Sequence, residues 1–336
     1  MGIKKCILLV VLLSAGICLK AQKITPLEQN RPNSFRGLSV VNDNIAWVSG
    51  TAGTIGITRD GGFTWTWQQV KGFEKCDFRD IEAFSDTEAI VISSGSPAYI
   101  LKTTDGGTNW TIKYQKNDTA YFLDAMDFSD KQDGFVLGDP INNKFLLLQT
   151  LDGGETWSTV VNAPLALKNE AAFAASGTCL RITNKITIVT GGSNSRILTS
   201  PLINQMWTAT SLPLTDGTAS RGAFSVAFGN GRAIIVGGNY AKDRQTDSVA
   251  YLFRINHTSY TGSIPTSGPA GYQSCVEYIK GNTFLSTGTP GTNVSTDGGN
   301  TWHKIDSDSY NVCKKAKNGS LVLMAGDKGK LAIVKF

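Results

Sequence analysis

Arginine, aspartate and tyrosine side chains are where chemistry could reside in this 336-residue chain. Arg36, Arg79 and Arg221 each fall at or near the start of a β-rich stretch, a recurrence suited to attracting an acidic group. The competing reading is that they are solvated loop side chains, the usual state of arginine. Asp80, Asp124 and Asp139 lie close to them in the pattern and could pair with them or act as acids. The longest polar insertion between strands, 239–247, adds Tyr240 and Arg244. Insertions of this kind in repeat folds map to one functional face.

Other chemistries find less support. His257 and His303 lie 46 residues apart, one structural period, which places them on matching outer strands whose separation is too great for one metal. No glycine-rich phosphate loop follows a strand and opens a helix, so no cofactor is expected. Beyond the N-terminal apolar run the cysteines are Cys76, Cys179, Cys275 and Cys313. Aligning the repeats on Gly192, Gly238, Gly288 and Gly326 puts Cys179, Ser225, Cys275 and Cys313 in one column of the innermost strand. Small residues suit that column because space shrinks toward an axis. Buried free thiols are the simpler expectation; a Cys275–Cys313 disulfide is the one pairing between adjacent repeats.

The elements that must position these groups are repeats. One phrase recurs four times, closing on Asp60-Gly61-Gly62 with Trp65, Asp105-Gly106-Gly107 with Trp110, Asp152-Gly153-Gly154 with Trp157, and Asp297-Gly298-Gly299 with Trp302. The tryptophans are spaced by 45 and 47 residues, then by 50 to a degraded copy at Trp207 and by 95 to Trp302. One copy has therefore been lost near 251–257. Each phrase joins two short β-rich runs and reads as a hairpin turn: the carboxylate accepts from backbone N–H groups, the glycines take φ > 0, and the tryptophan supplies an apolar plate. A second pair of runs precedes each hairpin, as in 38–48 and 81–91. Four strands per period of ~45 residues predict a seven-bladed β-propeller. The last copy holds three strands, and Lys23–Leu27 is expected to close the ring as its fourth, which removes an exposed sheet edge.

The Asp boxes, together with Phe35-Arg36-Gly37 and Phe78-Arg79-Asp80-Ile81 at blade starts, resemble the photosystem II stability/assembly factor family, within the wider sialidase-like Asp-box superfamily. The resemblance implies a seven-bladed propeller that acts as an assembly chaperone. It also implies that the loops entering each first strand and those joining second and third strands share one face, so that the three arginines ring the mouth of the axial channel. The expected function is a non-catalytic scaffold for an exported polypeptide or envelope component. The alternative is a sialidase-like or other glycoside hydrolase acting on a glycan, for which Phe253-Arg254-Ile255-Asn256 resembles the Phe/Tyr-Arg-Ile-Pro phrase of sialidases; it ends in Asn and sits in the fifth blade, whereas theirs lies in the first.

Lys4 and Lys5 followed by the apolar run 6–19 read as a secretory signal, with cleavage after Ala21 and a lipoprotein at Cys18 disfavoured by Ile17. Residues 22–336 then form a single domain, exported to the periplasm or beyond and expected to be monomeric. No later run approaches the ~18 apolar residues of a spanning helix. The formal charge of +5 falls to +2 without the three lysines of the signal, which argues against nucleic acid as a partner.

Overall fold

The computed structural model describes residues 22–27, 30–215, 217–256 and 259–336. The expected signal sequence, residues 1–21, and His257 lie outside the described residues.

Seven antiparallel sheets stand around one axis. Blade 1 comprises Phe35–Val40, Ala46–Gly50, Thr54–Thr58 and Thr66–Gln69, and blade 2 Asp77–Ala83, Ala89–Ser94, Ala98–Thr103 and Thr111–Lys116. Blade 3 runs from Leu123–Phe128 to Ser158–Thr159, blade 4 from Leu180–Ile182 to Thr208–Ser211, blade 5 from Arg221–Gly229 to Ser259–Ser263, and blade 6 from Cys275–Lys280 to His303–Asp306. Blade 7 takes Val312–Lys315, Val322–Ala325 and Leu331–Lys335 from the C-terminus and Lys23–Leu27 from the N-terminus as its outer strand. The expected closure is therefore present, and Pro26 is tolerated because it stands on an edge strand. Blade 5 departs from the four-strand plan: Glu170–Ala171 and Gly191–Gly192 extend its inner edge to six. Where that blade's Asp box has been lost, Ala250–Asn256 still pairs antiparallel with Ser259–Ser263. Tyr240–Lys242, a 3-10 turn, is the one helical element among the described residues.

The core lies between blades. Strand alternation turns one set of apolar side chains to each neighbour, and the Asp boxes fasten the junctions. In the first box Asp60 accepts from the Thr64 N–H at 2.8 Å and the Thr64 hydroxyl at 2.6 Å, while the Thr58 hydroxyl accepts from the Gly62 N–H at 2.9 Å. The second glycine has a φ of +97°, +82°, +83° and +87° in the four boxes. Its close approach to the preceding blade also requires glycine: a Cβ at Gly154 would meet Ile90, and one at Gly299 would meet Ile234. Each box tryptophan packs on the same junction, Trp110 edge-on to Trp47 at 6.3 Å and Trp157 edge-on to Phe128 at 6.1 Å. Blade 2 reaches into the third box through Lys102, whose buried ammonium donates to the Gly153 carbonyl at 2.8 Å and pairs with Glu155 at 2.9 Å.

Near the axis the innermost strands are tied by small polar side chains. The Ser176 hydroxyl donates to the Ser274 carbonyl at 2.7 Å, the Ser274 hydroxyl to the Asn311 carbonyl at 2.6 Å, and the Asn311 amide to the Phe35 carbonyl at 3.0 Å. Cys179, Cys275 and Cys313 are buried free thiols, the simpler of the two expectations, and Cys76 is a half-buried one; the alternative Cys275–Cys313 disulfide is not formed. The Cys275 thiol donates to the Cys313 carbonyl, 3.3 Å away, and the Cys313 thiol to the Leu285 carbonyl, 3.8 Å away, while the two thiols also lie within hydrogen-bonding reach of each other.

Candidate functional site at the axial mouth

Four innermost strands carry a β-bulge at one equivalent place. Pairing with the second strand skips Arg36 in blade 1, Arg79 in blade 2, Asp124 in blade 3 and Phe224 in blade 5. A bulge re-aims the extra residue out of the ordinary alternation. Here it gathers two guanidinium groups, a carboxyl and an aromatic ring at the end of the axis where the chain enters each blade.

Around these lies an aromatic cluster assembled from distant segments. Phe173 stacks on Phe224 with centroids 3.9 Å apart, Tyr272 meets Phe224 edge-on at 4.8 Å, and Tyr240 stands against all three at 6.2–6.5 Å. Tyr240 is 53% exposed, whereas Phe224 and Tyr272 are buried. The cluster therefore offers an accessible ring on a rigid apolar base, the arrangement in which aromatic side chains give most to recognition.

The charges divide into committed and uncommitted. Arg79 pairs with Asp77 at 2.7 Å and donates to the Ala174 carbonyl at 3.2 Å, which ties it to the segment bearing Phe173. Arg221 is buried and pairs with Asp247. Arg36 is half-buried beside Tyr272 and Asp327, whose ionisation it influences, and among the described residues it has no ion pair or hydrogen bond of its side chain. Asp124 is buried; desolvation, then the neighbouring Asp139, push its carboxyl well above the usual range, and Arg79 opposes the shift. Burial likewise raises Asp139 to about 6. One carboxylate oxygen on each of Asp77, Asp124 and Asp139 is buried without a hydrogen-bond partner.

Asp80, one residue past the Arg79 bulge, faces the axis and not the mouth. Its two oxygens accept from the Ile81 and Met126 N–H groups at 2.9 and 2.8 Å, and burial still raises it to about 7. Arg244 is exposed and lies apart from Arg36 and Arg79, over a hollow between blades 5 and 6 with Pro290 and Lys304. Arg254 is paired with Arg232 at the opposite axial end of blade 5 from Arg221, so the arginine clamp of a sialidase does not assemble at this mouth. Of the expected binding residues, then, Arg36, Arg79, Asp124, Asp139 and Tyr240 come together. Phe173, Phe224 and Tyr272 complete the site and were not among those expected.

Residues 26–117, which hold blades 1 and 2 with Arg36 and Arg79, match the family described as photosynthesis system II assembly factor YCF48. No curated protein matches the sequence. Among solved structures the chain is similar to YCF48 bound to D1 peptide, with a TM-score of 0.67, 16% identity and coverage of 94% of this chain and 97% of that one. It is similar also to YCF48 from Cyanidioschyzon merolae, with a TM-score of 0.64, 19% identity and coverage of 92% and 98%. The resemblance to the assembly-factor family indicated by the blade-start phrases thus holds, and the seven-bladed fold is shared along almost the whole chain. As many as 1079 solved chains match this architecture, so architecture by itself does not select a function.

Proposed function

We propose that this protein is a non-catalytic scaffold that holds an extended polypeptide segment across the axial mouth. The observation that carries this reading is the uncommitted, half-buried Arg36 beside the Phe224–Tyr240–Tyr272 cluster. A guanidinium kept short of partners next to an accessible ring accepts a carboxylate and an apolar or aromatic side chain from the same ligand. The likeness to a structure that carries a D1 peptide supports a peptide as the ligand class. The partner itself is an exported polypeptide or envelope component, in keeping with the N-terminal sequence, and the protein acts outside the cytoplasm.

The test is capture of partners from the native envelope by immobilised protein, comparing the unaltered chain with an Arg36→Ala, Arg79→Ala, Tyr240→Ala triple variant. Capture should fall at least tenfold, and what survives should depend less on salt, because two of the charges that steer binding are gone. Equal capture by a folded triple variant would move the binding surface elsewhere. Hydrolysis of sialosides or β-glucans by the purified protein, lost in the same variant, would replace the scaffold with the hydrolase reading.

A further inference from the structure

The opposite end of the axis holds a half-enclosed cavity of about 420 Å³, within the roughly 300–1,000 Å³ range of small-molecule sites. Innermost strands of six blades contribute to its rim or walls, and the charges among them are mostly spent. Glu82 pairs with Lys317, Glu277 with Arg181 at 3.0 Å, and Lys131 with Glu88 at 2.6 Å. Asp127 accepts from the Ile182 N–H, and burial holds its carboxyl above the ordinary range. Lys314 and Lys315, from the innermost strand of blade 7, remain; Lys315 also lines the neighbouring hollow that holds Asp43, whose carboxyl it influences, leaving Lys314 as the cation beside the axial carboxyls. Lys314 lines the cavity and is close enough to influence Asp80 and Asp127, yet among the described residues its ammonium has neither an ion pair nor a hydrogen bond. A half-buried ammonium facing a cavity without a partner is costly in the empty protein and is offset by an anion. The apolar part of the wall is formed by Leu38, Val40, Val41, Ala83 and the edge-to-face pair Phe84 and Phe128 at 5.1 Å, beside the polar Ser39, Ser129, Asp130 and Asn318.

We propose that this cavity is a second binding site, for a small organic carboxylate whose charge meets Lys314 and whose short apolar body lies against Val40, Phe84 and Phe128. A monoanion matches Lys314, since Lys315 also acts on Asp43 in the neighbouring hollow. A phosphate dianion would bring surplus negative charge beside Glu82, Asp127 and Glu277. The site is separate from the arginine mouth and does not rest on the peptide reading.

Titration of the folded chain with acetate, butyrate, hexanoate and inorganic phosphate, followed by ligand-detected NMR and thermal shift, tests the assignment. Affinity should rise roughly tenfold or more from acetate to hexanoate, since each added methylene is buried. Phosphate should bind more weakly than hexanoate. Lys314→Met, which keeps the length of the side chain, should abolish saturation, and Lys314→Arg should restore it. Arg36→Ala with Arg79→Ala should leave it unchanged, which separates this site from the mouth. No saturable response at tens of millimolar hexanoate, affinity independent of chain length, tighter binding of phosphate, or undiminished binding by Lys314→Met would each overturn the proposal.

Discussion

Asp80 shows how one buried carboxyl can couple stability to pH. Its folded-state value of about 7 stands above the ordinary 3.8 because burial disfavours the charged form more than Lys314 and two backbone N–H groups favour it. A raised value means that the fold prefers the neutral acid. Its contribution is complete below about pH 4 and is lost as pH rises through 7. Asp139, raised to about 6, acts in the same sense over a narrower window. Melting temperature should therefore decline from pH 5 to pH 8. Asp80→Asn keeps one of the two acceptors, so the variant should be less stable than the parent at pH 5, by on the order of 1–3 kcal/mol for the acceptor lost. The gap should close toward pH 8. Parallel pH profiles for the two proteins, measured by calorimetry, would mean that Asp80 does not titrate in this range. The site was only partly legible at this scale. Arg36 and Arg79 are visible because the phrases Phe-Arg-Gly and Phe-Arg-Asp recur at blade starts. The bulges that aim them depend on the register of a partner strand, which no single segment encodes. Phe173, Phe224 and Tyr272 are separated by about fifty residues each and meet only when the ring closes.

The repeating elements were far more legible, because an Asp box carries its whole hydrogen-bond plan within eight residues. Thr or Ser, Asp, the paired glycines and Trp satisfy one another locally, so the pattern survives in the sequence wherever the turn is kept. What the pattern does not display is the partner of the indole. Trp302 and Trp65 donate to the carbonyl of the second glycine of their own box at 2.9 Å, whereas Trp110 and Trp157 have no acceptor for their buried N–H. The four boxes thus look alike in sequence and differ in energy. Trp→Phe should cost about 1 kcal/mol more at 302 than at 157, since the first loses a hydrogen bond that the second never had. Urea denaturation of the two variants measures this difference; equal losses would mean that packing alone sets the contribution of the indole. Asp297→Ala, which removes acceptors for the Ser295 hydroxyl, the Thr301 hydroxyl and the Asn300 and Thr301 N–H groups, should cost about 1–2 kcal/mol and leave capture of partners intact.

At the scale of the molecule the ring is closed through blade 7, the one sheet that combines N-terminal and C-terminal strands, and the junction of blades 7 and 1 completes the circle. Several bonds hold it without the N-terminal strand: the Phe35 N–H donates to the Gly326 carbonyl at 3.1 Å, Ser34 bonds Asp327, and Asp43 accepts from the Ser320 and Leu321 N–H groups. Lys23–Leu27 adds a five-residue ladder to Leu331–Lys335 and lays Ile24 and Leu27 against the core shared by the two blades. Leu27 also lies near Gly62, so the closing strand touches the Asp box of blade 1. Removing 22–27 should therefore weaken the ring without opening it. Two half-buried aliphatic side chains and a short ladder correspond to about 2–4 kcal/mol, which lowers the melting temperature by several degrees in a protein of this size. The deletion also bares the Leu331–Lys335 edge, whose unpaired backbone groups template pairing with a second molecule. Size-exclusion chromatography with light scattering should then show more concentration-dependent association than the intact chain does. Ile24→Asp with Leu27→Asp keeps the ladder and removes only the apolar contacts, so it should lower the melting temperature with less association. Because the mouth is built from blades 1, 2, 3 and 5, the truncated protein should still capture partners at temperatures below its transition. A truncated chain that melts like the parent and stays monomeric would show that the bonds between blades 7 and 1 close the ring by themselves.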